Sequence, residues 1–141
     1  MIEFEYQTVA DIPQTDITRG WLEDVVRIEG GNINNLSFVF CDDAFLLSLN
    51  QQFLNHDTYT DVICFDDSIG KSIQAEVYIS VERVKENARI FEVLEMDELH
   101  RVMVHAALHC LGYKDKTKSD KVLMREKEDS ALKLRPSELI K

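Results

Sequence analysis

The chain has 141 residues, of which 45% are hydrophobic and 30% charged, a composition typical of one soluble globular domain with an ordinary core. No apolar run approaches the roughly 18 residues that cross a bilayer, and the alternating start MIEFEYQTVA is not typical of a signal peptide. The formal net charge of -10 disfavours a nucleic-acid-binding protein, because such proteins usually carry an excess of basic residues. We therefore expect a single cytoplasmic domain over residues 1–141, with no membrane partner.

The first half of the chain predicts strands and helices in alternation. Apolar and polar residues alternate from Ile2 to Gln7, which indicates a half-buried strand. The segment DITRGWLEDVVRIEG has helical periodicity and ends at two glycines, and GGNINN then predicts a turn. LSFVFC indicates a second strand, and Asp42 or Asp43 is suited to cap the following helix, AFLLSLNQQFL.

The second half predicts two strands followed by three helices. DVICF and AEVYIS favour a hairpin with a longer loop, after which Ser80 is a good cap for the helix VERVKENARIFEV. Another helix is expected from Asp97 to Gly112, and a last one from about Asp120 to Leu134. The order βαβαββααα predicts an α+β fold, a mixed sheet of about four strands packed with about five helices.

Two histidines lie in the most apolar of these helices. Between Val102 and Leu111 every residue is apolar except His105 and His109, so we expect this helix to be central and buried. Residues four apart share one helix face, and both imidazoles can therefore meet at one metal ion. The alternative is two core histidines that each find a separate hydrogen-bond acceptor, because an unpaired buried polar group costs about 1–3 kcal/mol.

The residues around the histidines favour an open, catalytic type of metal site. Gly112 can turn the chain back through a left-handed cap, which would bring the carboxylate of Asp115 near both imidazoles. Two histidines and one carboxylate leave coordination positions free for substrate. Ala106 stands where helical zinc proteases have a glutamate, which disfavours that class. His100 lies about 140° around the helix from His105 and is expected at the surface or as a cap.

Positive charge is concentrated just after the histidines. Nine of the 16 basic side chains fall in residues 114–141, and KDKTKSDK alone carries four lysines. Such a cluster can create a local positive field on an acidic protein, although an ordinary solvated loop is an equal alternative. The three cysteines lack CxxC spacing and lie in apolar stretches, which indicates reduced core thiols.

The motif HAALHCLGYKD resembles the hallmark H-G-x-L-H-x-x-G-Y-x-H of the YbeY family of bacterial endoribonucleases and rRNA maturation factors. Two further blocks are similar to the family's pattern in the same order. LNQQFLNHDTYTDVICF matches its Leu-Asn, aromatic, Thr-Asp/Asn-Val and Phe pattern, and AEVYIS with VERVKENA matches its central strand and next helix. The resemblance covers residues 49–115, about half of the chain.

This resemblance implies a metal-dependent, single-strand-specific endoribonuclease, a hydrolase with one divalent ion, zinc being the expected metal. It implies a role in 16S rRNA 3′-end maturation and ribosome quality control, with the rRNA precursor, the small ribosomal subunit and assembly proteins as partners. His105 and His109 correspond to the family's first two metal ligands and would carry the catalysis. Asp61 matches the family's Asp/Asn, and Glu76 takes the place of its aspartate. Both are candidate substrate-binding residues.

The chain departs from the family at two positions that bear on chemistry. Asp115 replaces the third histidine, and because a carboxylate also suits harder ions such as Mn²⁺, the metal's identity stays open. Leu54 replaces an arginine suited to gripping phosphate. Lys114, Lys116 and Lys118 are then the expected source of phosphate contacts. The alternative function is a non-catalytic ribosome-assembly factor with a structural metal, which the missing arginine and the net charge of -10 favour.

Overall fold

A computed structural model describes residues 1–54 and 60–140 of the chain. The described residues form four strands and five α-helices in the order βαβαββααα, which confirms the α+β fold class predicted from the sequence. The strands are β1 (Ile2–Tyr6), β2 (Asn32–Cys41), β3 (Val62–Asp66) and β4 (Ser72–Ser80). The helices are α1 (Thr15–Ile28), α2 (Asp43–Leu54), α3 (Val81–Phe91), α4 (Glu95–Cys110) and α5 (Lys118–Lys133), followed by a short 3-10 turn at Ser137–Leu139.

The strands form one mixed sheet in the spatial order β1-β2-β4-β3. Strands β1, β2 and β4 are parallel, and β3 pairs antiparallel with β4 at the edge. The predicted hairpin of β3 and β4 is therefore confirmed. Because parallel neighbours need crossover connections, α1 and the run from α2 to β3 carry the chain between them.

Strand β2 starts earlier than the sequence suggested. The segment GGNINN predicts a turn, but Asn32 already pairs with Ser72 of β4, and the pairing shifts register between Ile33 and Asn35. Amide side chains stabilise this polar extension, since Asn34 Nδ2 donates to Gln74 Oε1 at 2.9 Å. The turn prediction was wrong because asparagine is disfavoured in strands on average, whereas here cross-strand partners satisfy it.

Two helices also begin earlier than predicted. Helix α4 starts at Glu95 instead of Asp97, and α5 starts at Lys118 instead of Asp120. A reciprocal capping box fixes the second start, because the Thr117 side chain accepts from the Asp120 backbone N–H and the Asp120 carboxylate accepts from the Thr117 N–H.

The main core lies between one face of the sheet and the helices. Phe38 and Phe40 of β2 and Met103 and Leu108 of α4 are fully buried in it, and the same hydrophobic cluster reaches from Ile2 to Leu139. The indole of Trp21 on α1 donates to the Ala131 carbonyl of α5 at 2.9 Å. Helix α2 packs with a smaller cluster formed by Cys41, Leu46 and Ile63.

Helix α4 occupies the centre of this arrangement, in contact with β4, β3, α1, α3 and α5. The predicted central, buried helix is therefore confirmed. His100, expected at the surface or as a cap, is completely buried in the core instead. Its ring packs edge-on against Trp21, and its Nδ1 accepts from Arg135 at 3.0 Å. Burial and the nearby Arg135 lower the pKa of His100 to about 4, so this imidazole is neutral and belongs to the core.

The cysteines are free thiols, as the sequence indicated. Cys41 and Cys110 are buried and Cys64 is half-buried. Cys110 lies at the end of α4 with its Sγ 3.8 Å from Sγ of Cys64 on β3, which places both thiols in the contact between helix and edge strand. None of the helices in residues 1–54 and 60–140 is long and apolar enough to cross a membrane.

Candidate functional site

Helix α4 places His105 and His109 one turn apart along the wall of a surface cavity of about 470 Å³. The apolar residues that flank them on the helix are buried in the core. The two imidazoles therefore lie on the face of α4 that the core does not cover. Strand β3 provides the opposite wall, and α2 contributes Asn50 and Leu54. The complete lining is Asn50, Leu54, Thr60, Val62, Ile63, Cys64, His105, Ala106, His109 and Asp115.

His105 is held by a buried carboxylate. Its Nδ1 lies 2.6 Å from Oε2 of Glu128, whose side chain is only 7% exposed. Glu128 also accepts from the Arg101 guanidinium at 2.9 Å. Burial alone would raise the pKa of Glu128, but the bonds from His105 and Arg101 outweigh it and lower that pKa. The carboxylate is therefore ionised, and Nδ1 of His105 must be the donor.

This arrangement fixes the tautomer of His105. With one proton held on Nδ1 by Glu128, Nε2 is the nitrogen that gains or loses the second proton, and it faces the cavity. The hydrogen bond to Glu128 raises the pKa of His105, against the opposing effect of burial. On the cavity side, Asp115 Oδ2 lies 3.3 Å from Nε2. One imidazole is thus held between a buried carboxylate and an exposed one.

His109 is oriented by the backbone rather than by a carboxylate. Its Nδ1 lies 3.3 Å from the carbonyl oxygen of Tyr113, and because a carbonyl can only accept, Nδ1 is the donor here too. Nε2 is therefore the nitrogen of His109 that the backbone does not engage. His109 itself is exposed at the mouth of the cavity.

The loop that carries Asp115 is turned back by a Schellman motif at the end of α4. The Tyr113 N–H bonds the Leu108 carbonyl at 3.1 Å, and the Gly112 N–H bonds the His109 carbonyl at 3.0 Å. Gly112 has φ +107°, a conformation that residues with a Cβ rarely adopt. The predicted role of this glycine is confirmed, and the turn explains how Asp115 reaches His105 from outside the helix.

The donor types at this site are those that a divalent ion such as zinc requires. Two imidazoles and one carboxylate line the same cavity, and the Nδ1 atoms of both rings are hydrogen-bonded in the manner usual for ligand histidines. In residues 1–54 and 60–140, no three His, Cys, Asp or Glu side chains are assembled closely enough to hold an ion. His105 and Asp115 contact each other directly, and His109 does not join them.

Four of the residues expected to bind substrate lie apart from this cavity. Lys114 and Lys116 are exposed on the loop beside Asp115, but they line neither this cavity nor its neighbour. Lys118 lines only a shallow apolar depression along α5. Glu76 lies exposed on β4, where its carboxylate accepts from the Tyr78 hydroxyl at 3.1 Å. His56, the remaining histidine of the chain, lies outside the described residues.

Asp61 lies at the start of β3, close to the site. It lines a second cavity of about 390 Å³, which shares Val62, His105 and Asp115 with the first. Its carboxylate accepts from Asn87 Nδ2 at 3.4 Å, and its backbone carbonyl accepts from the Ser80 N–H at 2.9 Å. It is therefore fixed between β3 and α3 on the Glu128 side of His105.

Sequence reasoning missed the residues behind His105. Glu128 and Arg101 lie 23 residues after and four residues before that histidine, on helices whose packing the sequence alone does not give. One signal was present in α5. Met124, Glu128 and Ala131 follow helical spacing and are all buried, so a glutamate interrupts the apolar stripe at a position where a partner is required.

Comparisons with known proteins agree with this fold and these motifs. The sequence profile of the family described as Endoribonuclease YbeY matches residues 2–135. A protein named Endoribonuclease YbeY from Flavobacterium psychrophilum is 48% identical over 134 residues, which cover 95% of this chain and 96% of that protein. One of the same name from Cytophaga hutchinsonii is 44% identical, over 94% and 93% of the two chains. A solution structure of a Thermotoga maritima protein superimposes with a TM-score of 0.70 at 26% identity, covering 95% of this chain and 88% of that one.

Proposed function

Because the chain belongs to the family of endoribonuclease YbeY, we propose that it is a metal-dependent endoribonuclease that cuts single-stranded RNA. The whole chain forms one hydrolase domain in this proposal. Its substrate is the 16S rRNA precursor, and it acts in the cytoplasm in 3′-end maturation and ribosome quality control, beside the small subunit and its assembly proteins. Family membership supports the ribonuclease activity, and the site geometry supports the metal.

The observation that carries the metal proposal is the hydrogen bond between His105 Nδ1 and the buried Glu128. A carboxylate behind an imidazole fixes the ring, raises the basicity of the other nitrogen and is the usual support of a metal-binding histidine. Burying a glutamate is costly unless it is paired, so its position is explained by the histidine and Arg101 that it holds.

His105, His109 and Asp115 would hold one divalent ion, with zinc the first candidate. When bound, such an ion polarises a phosphoryl oxygen and lowers the pKa of a coordinated water. The chain's own residues prepare the site. Glu128 and the Tyr113 carbonyl hold a proton on Nδ1 of His105 and His109, which leaves each Nε2 as the atom that would bind the ion, and the turn at Gly112 presents Asp115 to the cavity.

The direct test is cleavage of single-stranded RNA by purified protein and by His105→Ala and His109→Ala variants. We expect both variants to lose at least about 100-fold in rate, because each would remove a ligand of the ion that stabilises charge in the transition state. Glu126→Gln on α5 is the matched control, since Glu126 is exposed and lines neither cavity at His105.

A chelator completes this experiment. Cleavage should stop when divalent ions are removed and return when zinc or manganese is added. Cleavage that persists in both histidine variants and in the presence of chelator would come from a contaminating nuclease and would leave the proposal without support. Double-stranded RNA of the same sequence should be cut much more slowly.

A second candidate function is a ribosome-assembly factor that binds RNA without cutting it. Two observations favour it. The first cavity contains Leu54 and no lysine or arginine among its lining residues, and no three ligands are assembled around an ion among the described residues. Metal binding with no cleavage of any single-stranded RNA would select this function over the first.

A further inference from the structure

Two cavities meet at His105 and Asp115. The first, described above, extends toward α2 and the end of α4, and the second lies between α4, α5 and the start of β3. His105, Asp115 and Val62 line both. An extended chain bound in the first cavity would therefore continue past His105 into the second.

The two cavities differ in their cationic side chains. None of the first cavity's lining residues is a lysine or arginine, whereas the second is lined by Arg101, Lys121 and Arg125. Arg101 is already paired, at 2.9 Å with Glu128 and at 2.7 Å with Asp129. The side chains of Lys121 and Arg125 form no salt bridge or hydrogen bond with another described residue. They are the cations left available beside His105.

Helix α5 presents these two side chains by its periodicity. Lys121, Arg125 and Glu128 are spaced by four and three residues and so lie on one face of the helix. Met124 and Glu128 are buried and fix that face against α4. Lys121 and Arg125 are themselves exposed at the rim of the cavity, where a ligand from solvent can reach them.

The second cavity also contains carboxylates, which determine how much the two cations matter. They are Asp61, Glu98, Asp115 and Glu128. Arg101 is paired with Glu128 at 2.9 Å, and Arg125 lies near enough to Glu98 to interact with it electrostatically. Without its cations, this wall would repel a polyanion. Binding of phosphate there thus depends on the charges of Lys121 and Arg125.

We propose that Lys121 and Arg125 form a phosphate subsite for single-stranded RNA, which holds a backbone phosphate next to the one at His105. The inference rests on the proposed function and assigns the substrate's path across the site. Arg125 can grip two phosphate oxygens through its guanidinium, and Lys121 acts as a point charge. The subsite supplies on α5 the phosphate contact that the wall around Leu54 lacks.

The test measures binding of a fluorescein-labelled single-stranded RNA to the full chain by anisotropy over a KCl series. Arg125→Gln and Lys121→Gln should each weaken binding by about 3- to 10-fold and reduce the slope of log K against log salt by about 0.7, the value for one lost phosphate contact on a single strand. Arg125→Lys should retain the slope, because it keeps the charge. Lys133→Gln is the control, an exposed lysine on the same helix that lines neither cavity.

The outcomes separate this subsite from the proposed function. A protein that cuts RNA but whose binding and salt slope do not change in Arg125→Gln and Lys121→Gln has no subsite here, while the nuclease proposal stands. A protein whose salt slope depends on Arg125 but that never cuts RNA retains the subsite and loses the nuclease proposal. Lack of RNA binding by the unaltered chain would overturn the subsite. Circular dichroism melts should match for all variants, since both side chains are exposed.

Discussion

Replacing Glu128 with glutamine tests the link between the buried carboxylate and the proposed metal site. The glutamate accepts from two donors at once, His105 Nδ1 at 2.6 Å and Arg101 at 2.9 Å. Glutamine has nearly the same shape, but its single oxygen can serve only one of them. If that oxygen turns to Arg101, the amide N–H₂ group faces His105 and donates to Nδ1. The proton of the His105 ring must then lie on Nε2, the atom proposed to bind the metal.

The expected loss follows from these contacts. Removing a carboxylate that supports a ligand histidine typically costs 10- to 100-fold in metal affinity, or about 1.4 to 2.7 kcal/mol. A similar loss of about 1.5–3 kcal/mol in folding stability is expected from one charge-assisted hydrogen bond. Arg101 limits the loss of folding stability, because it keeps its exposed partner Asp129 at 2.7 Å.

Calorimetric titration of the metal-free protein with zinc measures the metal affinity, and urea unfolding measures the folding stability. Asp129→Asn is the matched control, since it removes the charge of the other acceptor of Arg101 without touching His105. We expect its zinc affinity to stay within about 2-fold of the unaltered protein, in line with an exposed ion pair. A folded Glu128→Gln protein with unchanged zinc affinity would refute the role of this carboxylate.

Two other predictions concern parts of the fold that support the site. Burial and the nearby Arg135 hold the pKa of His100 at about 4, below its ordinary value of 6.5. The unfolded chain gains a proton on this histidine as pH falls through that interval, so the free energy of unfolding falls by up to about 3 kcal/mol. His100→Gln should reduce this loss of stability between neutral pH and a pH of about 4. An identical pH dependence of the two proteins in urea unfolding would contradict the prediction. Gly112→Ala should cost about 1–2 kcal/mol, because an alanine at φ +107° is strained. Its melting temperature should fall by about 3 to 8 °C, and an unchanged value would mean that the turn relaxes without strain.

The fold was predictable because its signals are local. Alternation in Ile2–Tyr6 and helical periodicity in α1 and α4 each arise within a few residues, and they determine the order of elements. The predictions that were wrong depend on contacts between residues far apart in the sequence. Asn32 and Asn34 are stabilised in β2 by polar partners on a strand 40 residues away, which no local propensity contains.

Only those parts of the candidate site that have a local signal could be predicted from the sequence. His105 and His109 can be identified in the sequence because i,i+4 spacing is a local pattern, and Gly112 predicts the turn that follows. Glu128 was missed because its role depends on how α5 packs on α4. His100 was assigned to the surface by its angle on the helix alone, whereas α1 and Arg135 cover that side of α4 as well.

The central claim is that His105, His109 and Asp115 share one catalytic ion, and a titration of activity with metal tests it most directly. Chelator-treated protein, freed of chelator, would receive increasing zinc or manganese while cleavage of single-stranded RNA is measured. We predict that activity rises linearly and stops rising at one ion per chain, and that His109→Ala and Asp115→Asn protein do not regain it. Full activity of the metal-free protein, or equal recovery in the variants, would contradict the claim.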